Sequence, residues 1–462
     1  MDSLIKIVAL CGVVLILQAL YTRYYGGLSA IPGPPSASFC NLWKVLAVYH
    51  NDMPRRNMAA HRKYGPVVRI GPNTISFSSP EALHTIHGSR QAYPKSDFYK
   101  PTSAMFEGAP LLNMFSTQDV KYHSSLKKRV GGLYTKAAVL RLEPKIDGCV
   151  SMFTRKIEAL VPKDATIRLD MSLWVHLFAF DCLGELNVSK KFGFLESGRD
   201  INGMIEGSDR ALIKTGLYAQ SPILQWMRWV VETAKGPGMI DPVMKVSKSQ
   251  QESSVTTPDY CIVMAGHDVL AVTIRAVLYY VARHPAVEEK LRAELAILGP
   301  KTAPFSEITK LPYLDAVIHE SLRIHGNLGL VNERVTPPGG AIIDGYHIPA
   351  GTVVGVNPWV IHRNNSIFGE DVETFRPERW LDEPEEIIMD MKRNLFSFGA
   401  GPRMCIGKNI AMMQLYKFIT EFYRNYKVKL AEPEKEWHVV GNWVTKQTGM
   451  DMLLTRAKGC EV

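Results

Sequence analysis

The chemistry-bearing residues of this 462-residue chain gather around one cysteine. Phe398-Gly399-Ala400-Gly401-Pro402-Arg403-Met404-Cys405-Ile406-Gly407 places two glycines and a proline ahead of Cys405, and a helical pattern begins near Lys408. Such a loop delivers a thiol to a helix N-terminus, where the dipole and the free N–H groups favour thiolate over thiol. The other cysteines (Cys11, Cys40, Cys149, Cys182, Cys261 and Cys460) are scattered and form no C-x-x-C pair, so a tetrahedral zinc site lacks ligands. One thiolate without a neighbouring Cys or His ligand suits a single axial bond to a haem iron. Arg403 stands two residues away, placed for an anionic porphyrin carboxylate.

Three further groups stand at spacings that matter. Glu320 and Arg323 share one helical face and can hold a charge-assisted hydrogen bond. His123-Ser124-Ser125-Leu126-Lys127-Lys128-Arg129 reads as a basic helix face. In Ala265-Gly266-His267-Asp268-Val269-Leu270 a glycine stands two residues before an acid.

The cysteine segment matches F-x-x-G-x-R-x-C-x-G at every fixed position and resembles the haem-ligand loop of the cytochromes P-450. The resemblance runs over roughly residues 31–456, with the landmarks in order. It implies haem b held by the Cys405 thiolate, with Arg403 and Phe398 of the same loop on the cofactor. Phe375-Arg376-Pro377-Glu378-Arg379-Trp380 looks like the P-E-R-F segment, so Arg379 would join Glu320 and Arg323 in a cluster bracing the haem-side core. His123 and, four residues on, Lys127 match the propionate-binding helix, with lysine where arginine is commoner; Arg334 resembles another propionate partner. Lys128 and Arg129 would help dock an acidic reductase that brings electrons from NADPH.

On the distal side the resemblance implies that Gly266 and Asp268 shape the oxygen and proton site, but Val269 stands where the family has threonine. Valine keeps the shape and loses the hydroxyl donor, and Thr273 lies one turn too far to replace it. Pro258 comes seven residues before Ala265, where the resemblance implies a longer helix. The stretch around Arg334, Pro338-Gly339-Gly340, Gly351-Thr352-Val353-Val354 and Asn357-Pro358-Trp359 is most similar to fungal microsomal members of the pisatin demethylase kind. That neighbourhood implies insertion of one atom of O2 into an apolar small molecule, by hydroxylation or oxidative demethylation, in secondary-metabolite biosynthesis. A haem-thiolate isomerase or dehydratase needing no reductase, or a non-catalytic haem- or ligand-binding relative, would equally explain the missing hydroxyl. Phe98, Met105, Phe106, Leu111 and Met114, with Leu328-Gly329-Leu330, are candidate substrate walls or plain core.

The elements that must position these residues follow from composition and patterning. With 46% hydrophobic and 21% charged residues the chain is ordinary globular material, which excludes a disordered or fibrous protein. A net charge of +9 suits an anionic membrane face or an acidic partner without requiring nucleic acid. Leu4–Leu20 is apolar except for Lys6 and Gln18, and Tyr21, Tyr24 and Tyr25 follow, as expected of a single membrane-crossing helix with interfacial tyrosines. A cleaved signal peptide is the rival, and the scattered cysteines favour a reducing compartment over secretion. Ile31-Pro32-Gly33-Pro34-Pro35 then makes a semi-rigid strut. The expectation is an anchor and flank at 1–30 and, over 31–462, one mainly helical haem-thiolate domain with small sheets, cytosolic at the endoplasmic reticulum. Strand patterns fall at 65–80 and 333–356, helices at 119–160 and 171–187, and a polar loop at 235–258. Asn187 and Asn364 head N-x-S matches that are incidental on a cytosolic domain.

Overall fold

The computed structural model describes residues 2–24, 26–88, 93–106, 109–235, 265–299 and 301–457. The polar stretch 236–258 and the segment before Ala265, Pro258 included, lie outside them, as do the side chains of Met105 and Phe106.

Helices dominate. Met171–Val188 is apolar nearly all round and is buried along most of its length, and Asp268–Arg283 is buried from Leu270 to Tyr279. Helices that are hydrophobic on every face belong inside a large core. These two pack together with Glu143–Leu160, Pro312–Ile324 and Lys408–Asn425 around the main hydrophobic cluster. The expected long helix over 119–160 is instead broken into Val120–Val130, a short 3-10 turn at Gly131–Tyr134, Lys136–Leu140 and Glu143–Leu160. Gly131-Gly132 ends the first piece, and Pro144 opens the last, where its missing N–H is harmless.

The two strand regions join. Val67–Gly71, Thr74–Phe77, Val353–Val356 and Asn332–Val335 form one four-stranded sheet in that order. Thr74–Phe77 runs parallel to Val353–Val356, with Ile75 opposite Val354, and the other pairings are antiparallel. Both faces of the first two strands are buried, including the polar Arg69, Thr74 and Ser76. A second sheet orders Tyr426–Leu430, Asp451–Arg456 and Thr166–Asp170.

Asp2–Tyr24 is helical over 23 residues, a length of about 34 Å at 1.5 Å per residue. Ile5, Leu10, Val13, Ile16, Leu17 and Leu20 are exposed along it. Among the described residues no helix is long and apolar enough to cross a membrane. The expected helix is therefore observed and its crossing is not.

Candidate active site

Two glycines shape the cysteine loop. Gly399 (φ 69°) and Gly401 (φ 63°) adopt left-handed conformations, and a Cβ on Gly401 would collide with the carbonyl oxygen of His87. Cys405 N–H donates to Phe398 O (2.9 Å) and Met404 N–H to Gly401 O (3.1 Å), closing the turn just before Lys408–Asn425 begins. The thiol opens onto a space a solvent molecule can enter, while protein surrounds it as closely as in the interior. Burial pushes the thiol up, and the backbone N–H groups of Gly407 and Lys408 pull it down with less effect. A coordinated metal cation would deprotonate it outright.

Beside this loop, basic side chains gather among the described residues. Arg334, Lys95 and His123 are 6%, 5% and 7% exposed, with Arg403 and half-buried Lys127 alongside. Burial and the neighbouring Arg334 pull Arg403 down to about 10. Burial, Arg403, Lys127, Lys95 and Arg334 together hold His123 at about 4. The nearby carboxylate Glu333 is already engaged by Ser96 (2.6 Å) and Lys44 (3.6 Å). Lys127 Nζ donates to Pro402 O (2.8 Å), Arg403 Nη1 to Thr117 O (2.8 Å) and Arg334 Nη1 to Glu333 O (2.8 Å). Arg403 Nη2, also buried, has no hydrogen-bond partner among the described residues. Arg403, pulled down by burial and by Arg334, and the basic side chains around it call for an anion. A porphyrin's two carboxylates, placed beside a thiol that can reach iron, fit this donor set.

Behind the loop, the Glu320 cluster is complete. Glu320, Arg323 and Arg379 are fully buried. Arg323 donates through Nε to Glu320 Oε2 (2.9 Å) and through Nη2 to Oε1 (2.8 Å), Arg379 Nε donates to Oε1 (3.0 Å), and Trp380 Nε1 to Oε2 (2.9 Å). Burial would raise the Glu320 carboxyl, yet Arg323 and Arg379 hold it below its usual range. Two contacts carry this rigidity into the cysteine loop. His362 Nδ1 hydrogen-bonds the Arg323 carbonyl (3.0 Å) while its Nε2 accepts from Phe396 N–H (2.8 Å), and Ser397 Oγ donates to Leu322 O (2.8 Å).

The distal residues separate. Ala265 and Gly266 are exposed and Val269 is half-buried, whereas His267 and Asp268 turn inward. Asp268 Oδ1 lies 3.0 Å from His176 Nε2 and 3.3 Å from His267 Nδ1, and Ser208 Oγ donates to Oδ2 (3.2 Å). Burial opposes ionisation, but His267 and His176 hold the Asp268 carboxyl well below its usual range. Among the described residues these three alone have the spacing of a metal site. Arg275 Nη2 donates to His176 Nδ1 (3.1 Å), however, which leaves the proton on Nε2 and removes the lone pair a metal would need. Asp268 is therefore the centre of a locked network, away from the open side expected of it. The room left by Gly266 is taken by Leu183 of the adjoining helix. Thr273 hydrogen-bonds the Val269 carbonyl (2.8 Å) and offers no substitute hydroxyl.

Phe98 and Leu330 belong to a buried cluster with Trp443, and Phe98 stacks on its ring at 4.8 Å, so these two are core rather than substrate wall. Sequence reasoning missed Lys95 and His87. Lys95 sits in an isolated bridge opposite Arg334, and His87 has no hydrogen-bond partner among the described residues for either ring nitrogen. No motif marks either, because Lys95 comes to the loop through a bridge to Arg334 and His87 through the close approach of its carbonyl to Gly401.

The Cytochrome P-450 family model matches residues 32–235 and 245–454. The chain belongs to the cytochrome P-450 family. A cytochrome P-450 monooxygenase of Aspergillus terreus is 35% identical, over 88% of this chain and 91% of its own length. The monooxygenases cicH and pkfB of Emericella nidulans are 31% and 33% identical, covering 93% and 95% of this chain and 94% and 93% of theirs. As a cytochrome P-450 the protein is a haem-thiolate monooxygenase that takes electrons from a redox partner and acts on O2 and a small molecule.

Proposed function

We propose that the protein is a membrane-anchored monooxygenase that inserts one atom of O2 into an apolar small molecule, by hydroxylation or oxidative demethylation, in fungal secondary-metabolite biosynthesis. The relatives' fungal origin supports the setting. The carrying observation is the Cys405 thiol beside a buried group of basic side chains. Cys405 would ligate the haem iron through its thiolate, and Arg403, Arg334, His123 and Lys127, joined by Lys95, would hold the propionates. Phe398 packs between the loop and the main core. Glu320, Arg323 and Arg379 hold the loop rigid from behind. When bound, haem supplies the activation of oxygen. The chain's part is to fix the thiolate, exclude water and position the substrate C–H bond. Val269 places no hydroxyl on the open face, and Asp268 is ionised and engaged by His176, His267 and Ser208, so protons reach that face through water or substrate. Electrons from NADPH arrive through a reductase docked near exposed Lys128 and Arg129.

Membrane attachment has its own support. The helix Pro222–Lys235 exposes Ile223, Trp226, Met227 and Trp229, and Leu42 and Tyr49 are exposed on a helix packed against Met204–Tyr218, the element leading into it. Clustered exposed tryptophans and aliphatics are what a bilayer interface receives. With the N-terminal helix, they support the reading of residues 1–30 as an anchor and 31–462 as a cytosolic domain at the endoplasmic reticulum.

The test is expression with a reductase, screening of candidate metabolites by haem spectral shift, and product identification by mass spectrometry. Product formed without NADPH and reductase would favour the isomerase or dehydratase reading that Val269 invites. A Cys405→Ser protein with an unchanged reduced carbon-monoxide spectrum would overturn the assignment of the thiolate.

A further inference from the structure

Arg69, on the strand Val67–Gly71, is 1% exposed, and no carboxylate among the described residues pairs with it. Its guanidinium binds four backbone carbonyls instead. Nη2 donates to Thr22 O (2.8 Å) and Pro72 O (2.6 Å), and Nη1 to Leu28 O (3.2 Å) and Arg23 O (3.5 Å). Thr22 and Arg23 lie in the last turn of the N-terminal helix, whose final carbonyls have no partner within the helix. A cation there also meets the negative end of the helix dipole. The backbone of Arg69 grips the next stretch. Its N–H donates to Pro32 O (2.8 Å), and Gly33 lies so close to its carbonyl that a Cβ has no room. Between these points Leu28 (1% exposed) and Ile31 (6%) are buried in the cluster that covers the sheet.

We propose that Arg69 is a clasp fixing the angle at which the N-terminal helix leaves the catalytic domain, so that this helix and the exposed Trp226–Trp229 surface meet a lipid bilayer in one orientation. The inference rests on the membrane reading above for its purpose, though the clasp stands on its own contacts. A lysine could not serve, because one ammonium has no planar fork to reach carbonyls on two sides. The strut at 31–35 is correspondingly no free tether but an edge of the domain.

Arg23 makes the clasp measurable, because the carbonyl that trypsin attacks after Arg23 is one that Arg69 holds. The full-length, haem-loaded protein is digested briefly in detergent micelles, and cleavage after Arg23 is quantified by mass spectrometry for wild type, Arg69→Met and Gly33→Ala. Gly33→Ala displaces the strut without unbalancing a buried charge, so it remains readable if Arg69→Met fails to fold. At least tenfold faster cleavage in each variant that retains the wild-type reduced carbon-monoxide spectrum is expected. A rate within twofold of wild type in either such variant overturns the clasp. Flotation on phosphatidylcholine–phosphatidylserine vesicles tests membrane binding separately. Wild type that does not float defeats the membrane reading and leaves the cleavage result standing. In brominated phosphatidylcholine vesicles the floating variants lose at least half of the wild-type tryptophan quenching; equal quenching refutes a fixed orientation.

Discussion

Replacing Glu320 with glutamine isolates what the buried charge cluster does for the cysteine loop. The change keeps shape and removes one negative charge, leaving the fully buried guanidiniums of Arg323 and Arg379 short of a counter-ion. Breaking a buried pair this way costs about 3–5 kcal/mol. Arg379 keeps Asp371 (2.8 Å) and Arg323 keeps the carbonyls of Val372 (2.7 Å) and His362 (3.0 Å), so the lower half of that range applies. Unfolding entropy of about 2.1 cal/mol/K per residue gives roughly 0.9 kcal/mol/K for a domain of this size, and the loss becomes a fall in Tm of about 3–4 °C. Because His362 and Ser397 tie the cluster to the cysteine loop, haem transfer to an acceptor apoprotein should also quicken several-fold. Calorimetry of the holoprotein and haem-transfer kinetics are the assays. A Glu320→Gln protein that melts within 1 °C of wild type and releases haem at the wild-type rate would refute the view that this cluster braces the loop.

Four other outcomes are expected. Gly401→Ala, which sets a Cβ against the His87 carbonyl at a positive φ, should yield protein with less than half the wild-type haem content by pyridine haemochrome assay. Lys95→Met should raise the haem dissociation rate while leaving the apoprotein's far-ultraviolet dichroism unchanged, since its charge serves the propionate site. Stability should fall between pH 7 and 5, read by urea unfolding: burial holds His61 and His325 at about 4 and His362 at about 3 in the fold, whereas the unfolded residues bind protons near 6.5. The unfolded state therefore takes up more protons as pH drops through that window, costing up to about 2 kcal/mol per histidine by pH 5. Val269→Thr should raise product formed per NADPH consumed; an unchanged ratio would show that this pocket does not use a hydroxyl at that position.

The haem-side half was legible in the sequence because its geometry is local. Gly399 and the i, i+3 pair of Glu320 and Arg323 each do their work within a few residues of themselves, and the structure finds each where its spacing put it. Lys95 and His87 were not legible, since they reach the loop only through sheet pairing and a close backbone approach between distant segments. The break of the helix expected over 119–160 was written in Gly131-Gly132 and Pro144, and hydrophobic periodicity running through them concealed it.

Asp268 shows why the distal half resists reading from a single chain. An acid after glycine looks like a relay when only its neighbours in sequence are seen. His176, 91 residues before His267, and Arg275 decide otherwise, because Arg275 fixes the His176 tautomer and His176 in turn claims the carboxylate. A buried carboxylate with two imidazoles and a serine around it gains nothing by turning toward open solvent. The proximal side is set by backbone geometry that tolerates no alternative, whereas the distal side is set by side-chain partners that another sequence could re-pair. On the function proposed above, catalytic individuality resides on the Val269 face, where substitutions would change proton supply without disturbing the bracing behind Cys405.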